Sequence, residues 1–153
     1  MRAAILAVLL GLPLPAAAQG LGVSAQEIRG LVSRLDISLA YESGQLLSGE
    51  SRTMGTSEDP FLMLELIGPA SDLREIAFTT APSANAAENV EALGITLILL
   101  TTVMSDWSDG VDWYTETLGS GIEERAIRVD GVEVTIRNYA DVLGVVSLSL
   151  EAL

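Results

Sequence analysis

The residues whose types and spacing are best suited to chemistry lie between Asp106 and Glu116. Four carboxylates recur there at intervals of three or four residues, namely Asp106, Asp109, Asp112 and Glu116. Because Ca²⁺ takes about six to eight oxygen ligands, these side chains are the candidate metal ligands of the chain. The EF-hand pattern does not fit, since Trp107 stands where that loop has an oxygen ligand. We favour the alternative that a helix begins here with Ser108 as its N-cap, because acidic side chains stabilise the first turn of a helix.

Most catalytic chemistry is excluded by residue types that the sequence lacks. It contains no Cys, His or Lys, and therefore no thiol nucleophile, imidazole base or Schiff-base amine. Zinc sites depend on Cys and His, and no phosphate-binding glycine motif is present. A hydrolase that uses a pair of carboxylates is the enzymatic alternative that remains. We predict no catalytic residues and no cofactor, with Ca²⁺ as the alternative.

The charge of the chain is strongly acidic and unevenly distributed. With 21 acidic and 8 basic residues, the net charge is −13, which argues against nucleic-acid binding. No basic residue lies between Arg74 and Arg125, whereas nine acidic residues do. This segregation predicts a surface of a single sign, which either keeps the protein dispersed or binds a basic protein partner.

The first 18 residues are typical of a signal peptide. Arg2 precedes an apolar stretch from Ala3 to Leu12, and the small residues 16–18 match a cleavage site. The stretch is shorter than the roughly 20 residues that span a bilayer. The second apolar run, residues 92–104, predicts a core helix for the same reason. We therefore expect an exported protein, periplasmic or extracellular, with one domain over residues 19–153 and no membrane span.

The periodicity of the remaining chain predicts an α+β domain. A capping box at Ser24 and Glu27 predicts a short helix over residues 25–35. A single long helix is predicted over residues 84–118, interrupted or kinked between Ser105 and Gly110. Its apolar stripe comprises Leu93, Leu97, Leu100, Met104, Trp107, Val111, Tyr114 and Leu118. Off this stripe lie Ile95, Ile98 and Leu99, which must pack against the N-terminal helix or a second copy of the chain.

The strands are predicted to form an antiparallel sheet of about five or six members. Residues 61–67 and 73–80 are apolar runs joined by a turn, whereas residues 37–58 indicate only an irregular strand or hairpin. Asp130-Gly131 is a strong two-residue hairpin signal. Its register would place Arg128 opposite Glu133. The order of elements is a loose α-β-β-β pattern used twice, with the sheet packed against the long helix.

Trp113 is the one residue that we predict to contact a partner or ligand. It lies outside the apolar stripe, so we expect it to be half exposed and able to stack on another group, unless it covers a neighbouring strand. Together, these features predict a non-enzymatic exported binding domain, chaperone-like or associated with the cell envelope. The ligand would be a basic protein or a small apolar molecule, and a homodimer is a further option. The alternative is a carboxylate-based hydrolase or a Ca²⁺-dependent protein that uses residues 106–116.

Overall fold

A computed structural model describes residues 19–58, 61–82 and 84–153, so the predicted signal peptide lies outside the described residues. The helices are α1 (Ala25–Arg34), α2 (Ala86–Val103), α3 (Gly110–Gly119) and α4 (Ala140–Leu143). The strands are β1 (Ala40–Gln45), β2 (Ser51–Glu58), β3 (Phe61–Ile67), β4 (Glu75–Thr80), β5 (Glu124–Val129), β6 (Val132–Tyr139) and β7 (Val145–Ala152). The predicted α+β class and antiparallel pairing are confirmed.

The described strands form one sheet in the order β1-β2-β3-β4-β7-β6-β5. Two meanders, β1 to β4 and β5 to β7, are joined by antiparallel pairing of β4 with β7. The sheet has seven strands rather than the predicted five or six, because residues 37–58 contain two complete strands. Gly55 makes this pairing possible, since a Cβ there would lie 2.5 Å from the ring of Tyr41 on β1.

One face of the sheet is apolar and is covered by the helices. Alternate residues of the central strands are buried there, including Leu64 on β3, Phe78 on β4 and Leu148 on β7. The other face carries cross-strand ion pairs, as the hairpin register predicts. Nε of Arg128 lies 2.7 Å from Oε2 of Glu133. The hairpin turn is also confirmed, because Asp130 and Gly131 both have positive φ.

The predicted long central helix is instead two helices that fold back on each other. α2 ends at Val103, and a turn at residues 104–109 leads into α3, which is where the interruption was predicted. Leu93 and Leu118 line the same cleft, whereas one continuous helix would separate them by about 37 Å. Ser108 does not cap α3, because Asp109 occupies the N-cap position.

The face of α2 that packs on the sheet also differs from the prediction. The buried residues are Ala92, Ile95, Thr96, Leu99 and Leu100, whereas Leu93 of the predicted stripe is 37% exposed. From Ala92 onward α2 carries no charged residue, so hydrophobic periodicity gives little indication of which face is buried. Ile95 and Leu99 therefore have their partners in the core and do not need a second copy of the chain.

α2 is also the one described helix that is long and apolar enough to cross a membrane. Its 18 residues have a mean hydropathy of 1.4, and 28% of them are buried. Core helices commonly have the same property, and Leu99 and Leu100 are part of the core. The length and composition of α2 are therefore weak evidence for a span.

The N-terminal part of the described chain is held against the loop before β4. The backbone N–H groups of Gly20 and Gly22 donate to the carboxylate of Asp72, at 3.2 and 3.0 Å. α1 follows with the predicted capping box between Ser24 and Glu27. Ile28 and Val32 of α1 join the core, and α1 lies near Thr102 at the C-terminal end of α2.

Candidate functional site

An apolar cleft lies where the first half of α2 faces the second half of α3. Its volume is about 250 Å³. The lining residues are Thr80, Pro82, Asn89, Ala92, Leu93, Thr96, Tyr114, Leu118 and Val146. Small-molecule sites are commonly about 300–1,000 Å³, so this cleft is suited to one large apolar side chain or a short aliphatic chain.

The walls of the cleft are formed by residues that helical spacing brings to one side of α2 and of α3. Ala92 and Thr96 are four residues apart on α2, and Tyr114 and Leu118 are four apart on α3, so each pair lies on one side of its helix. The hydroxyl of Thr96 donates to the carbonyl of Ala92 at 2.8 Å, which satisfies a polar group in the wall. The cleft therefore presents a mainly apolar lining.

Tyr114 is the one ionisable residue that lines this cleft, and it stays neutral. Burial raises the pKa of its phenol above the usual value of 10, and a hydrogen bond with Thr96 opposes this shift to a smaller extent. A neutral phenol with a raised pKa is a poor general base near neutral pH. The cleft is thus better suited to binding than to proton transfer.

The outer side of α2 beside the cleft is unusually apolar for a helix surface. We call Ala87, Val90, Gly94, Leu97 and Thr101 the α2 outer face, of which Leu97 is partly buried and packs against the core. Val90 is 69% exposed, and no charged residue occurs between Ala92 and Ser105. The hydroxyl of Thr101 donates to the carbonyl of Leu97 at 2.9 Å, so its hydrogen is already bonded within the helix. This surface can be covered without leaving a hydroxyl donor unsatisfied.

The exposed carboxylates of the helical layer form no ion pair within the described residues. The exposed acidic residues of α2, α3 and the turn between them are Glu91, Asp106, Asp109, Asp112 and Glu116. The four ion pairs found within residues 19–58, 61–82 and 84–153 involve none of them. Asp112 stands two residues before Tyr114, and Glu116 two residues before Leu118, so they lie on the side of α3 that faces away from the cleft.

The structure does not gather the four candidate Ca²⁺ ligands into one cluster. Asp106 lies in the turn and Asp109 at the N-cap, while Asp112 and Glu116 lie on α3. Across the part of the chain that the structure describes, no three Asp or Glu residues are arranged to hold a metal ion. Asp109, Asp112 and Glu116 keep the spacing of successive helical turns, whereas Asp106 lies in the turn before α3.

Trp113 is buried rather than half exposed. Only 8% of it is accessible, and its ring centroid lies 5.4 Å from that of Trp107 and 5.6 Å from the guanidinium carbon of Arg125. The reversal of direction between α2 and α3 turns this side of α3 toward the edge of the sheet. Val90 and Leu93 are exposed apolar residues near the cleft; the sequence interpretation placed Leu93 in the buried stripe and did not name Val90.

A second cavity, of about 390 Å³, lies at the opposite end of α2. Its lining includes Asp72, Asp106 and Asp130 together with Trp107. The carboxylate of Asp72 already accepts the backbone N–H groups of Gly20 and Gly22. This cavity is polar and its best acceptor is occupied, so the cleft between α2 and α3 is the stronger candidate site.

A scan against protein-family models found no match, and searches of curated proteins and of solved structures found none either. The function is therefore argued from the site alone.

Proposed function

We propose that this protein is an exported, non-enzymatic binding module that receives a basic, apolar segment of a partner protein at the cleft between α2 and α3. The observation that carries the proposal is the position of the apolar cleft beside exposed Val90 and Leu93. The absence of any basic residue between Arg74 and Arg125, a segment with nine acidic residues, favours a basic partner. An apolar side chain from the partner fills the cleft, and Lys or Arg residues flank it.

The two components of this surface have different energetic roles. Burying one Leu or Phe side chain in the cleft is worth about 1.5–3 kcal/mol. The carboxylates are exposed, so salt screens them and they act mainly on the association rate. We expect binding that weakens as ionic strength rises but does not vanish, because the apolar contact does not depend on salt.

A non-enzymatic role follows from the composition of the chain. A serine or threonine nucleophile needs a neighbouring base, and the sequence has neither His nor Lys. The phenol of Tyr114, which lines the cleft, is neutral. The cleft can therefore bind a ligand through its shape and its apolar surface.

Export is the second part of the proposal. It rests on the signal-peptide pattern of residues 1–18. N-terminal sequencing of the protein recovered from the periplasm or the medium tests it, and we expect the mature chain to begin at Gln19. Recovery of the intact chain from the cytoplasm alone would contradict it.

Binding is tested with synthetic peptides of defined charge, titrated calorimetrically into the exported protein. One peptide carries Leu and Lys, and its counterpart carries Leu and Glu at the same positions. We expect the Leu–Lys peptide to bind and Leu93→Glu to weaken it at least tenfold, whereas Val142→Glu, at an exposed position on α4, leaves it unchanged. Equal binding of the two peptides, or no binding of either, would refute the proposal.

A further inference from the structure

The first residue after the predicted signal-peptide cleavage lies in the second cavity, at the C-terminal end of α2. Gln19 directly follows the small residues 16–18 of the cleavage pattern, and it lines this cavity of about 390 Å³. In the uncleaved chain, the backbone nitrogen of Gln19 is a neutral amide. Hydrolysis of the Ala18–Gln19 bond turns it into an α-amine, which is mainly protonated at pH 7. Cleavage therefore creates a new cation at this cavity.

The segment that follows Gln19 is held against the loop before β4. The backbone N–H of Gly20 donates to Oδ2 of Asp72 at 3.2 Å. The N–H of Leu21 donates to the carbonyl of Leu73 at 2.6 Å. A Cβ at Gly20 would overlap the carboxylate of Asp72, so glycine allows this close approach. Consecutive backbone nitrogens are at most about 3.6 Å apart, so the nitrogen of Gln19 lies within about 7 Å of Oδ2 of Asp72.

Three carboxylates line this cavity, and each comes from a different part of the fold. Asp72 lies in the loop before β4, Asp106 in the turn between α2 and α3, and Asp130 in the turn of the β5–β6 hairpin. Among the described residues, the lining contains no Lys or Arg, and none of these carboxylates belongs to the four ion pairs. Asp72 retains acceptor capacity, because a carboxylate has about four lone-pair sites and accepts only two backbone N–H groups here. The cavity therefore has acceptors in excess and lacks a cation.

We propose that this cavity is the binding site of the protein's own mature N-terminus, whose α-ammonium pairs with the carboxylates of Asp72, Asp106 and Asp130. This inference rests on the export part of the proposed function and adds a structural role for removal of the signal peptide. An ammonium has three N–H donors, so it can donate to all three carboxylates. Pairing links the start of the mature chain to a turn and a hairpin that are distant in sequence.

The absence of lysine from the sequence allows a direct test. The α-amine of Gln19 is the one primary amine of the mature chain, so an amine-selective acylating reagent labels that position. Only the unprotonated amine reacts, so the midpoint of the reaction rate against pH reports the protonation of this amine. The protein is made to begin at Gln19 by proteolytic removal of a tag, and intact mass confirms that Gln19 has not cyclised with loss of ammonia. A synthetic peptide of residues 19–24 is the reference.

We expect the protein to react roughly threefold more slowly than the peptide at pH 7, with a higher midpoint, because nearby carboxylates stabilise the ammonium. Asp106→Asn and Asp130→Asn should each move the midpoint toward that of the peptide. Asparagine is compatible with the positive φ of residue 130, so the hairpin turn is retained. Asp141→Asn, on α4 beyond the other end of β6, is the matched control and leaves the midpoint unchanged.

The other outcomes overturn the docked N-terminus. A midpoint equal to that of the peptide refutes it, even if the rate is lower, because steric shielding alone does not change the midpoint. A raised midpoint that neither Asp106→Asn nor Asp130→Asn lowers refutes it as well. If Asp141→Asn lowers the midpoint as much as they do, the cause is the net negative charge of the whole protein. Failure of export is detected separately, because N-terminal sequencing of the exported chain would then not begin at Gln19.

Discussion

Replacing Glu75 by Gln should stabilise the protein at neutral pH. Glu75 on β4 lies directly opposite Glu151 on β7, on the face of the sheet that the helices do not cover. Burial raises the pKa of Glu75 above its ordinary value of 4.5, and the nearby charges of Glu151, Glu65 and Glu50 raise it further, against the lowering effect of Arg137. Ionisation of Glu75 therefore destabilises the folded state relative to the unfolded state.

The expected gain is modest because Glu75 is only half buried. Like charges directly opposite each other in an antiparallel sheet are unfavourable by about 0.2–1 kcal/mol. For a domain of this size, each kcal/mol shifts the melting temperature by roughly 2–4 °C, so we expect a rise of about 0.4–4 °C.

The pH dependence of the stability gain distinguishes relief of this charge repulsion from a general effect of replacing Glu75 by Gln. A raised folded-state pKa means that the folded protein binds the proton more tightly, so wild type gains stability from this group as pH falls through that pKa. Below 4.5 the group is protonated in both states and the repulsion is gone. The advantage of Glu75→Gln should thus be largest near pH 7 and disappear by about pH 4.

Urea denaturation of wild type, Glu75→Gln, Glu151→Gln and the double variant at both pH values provides the measurement. We expect the two single gains at pH 7 to be non-additive, because either substitution removes the same repulsion. A loss of stability in Glu75→Gln at pH 7, or a gain that is equally large at pH 4, would refute the reasoning.

The remaining predictions concern the helices, and urea denaturation measures each of them. Ser24→Ala should cost about 0.5–2 kcal/mol because the serine hydroxyl caps α1, with exposed Ser48→Ala as the neutral control. Leu99→Ala should cost about 2–5 kcal/mol and Leu97→Ala clearly less, since Leu99 is in the core; the reverse order would show that the buried face of α2 is misassigned. Gly110→Ala should cost about 1–3 kcal/mol and change the near-UV circular dichroism, because its Cβ would meet Trp107; an unchanged spectrum would contradict that contact.

Local chemistry in the sequence predicted part of the fold accurately. The capping box of α1, the Asp130-Gly131 turn and the register of β5 with β6 each depend on a few adjacent residues whose geometry is nearly fixed. The interruption after Val103 was also predicted, because glycine and acidic residues favour a new helix there. These features need no knowledge of distant contacts.

The features that depend on tertiary contacts were not predicted. α2 carries no charged residue after Glu91, so its pattern did not show that Ile95 and Leu99, rather than Leu93 and Leu97, face the sheet. The reversal between α2 and α3 buried Trp113 and created the cleft. The long uncharged stretch of α2 lies beside the candidate site. From the sequence it was interpreted only as a core helix.

Backbone amide chemical shifts, recorded while the Leu–Lys peptide is titrated into the protein, test the central claim most directly. We predict that the largest changes occur on α2 and α3, at Val90, Leu93 and Leu118, with none at Arg128 on the open face of the sheet. Changes concentrated on that open face, or an unchanged spectrum at saturating peptide, would contradict the claim that the helical layer is the binding surface.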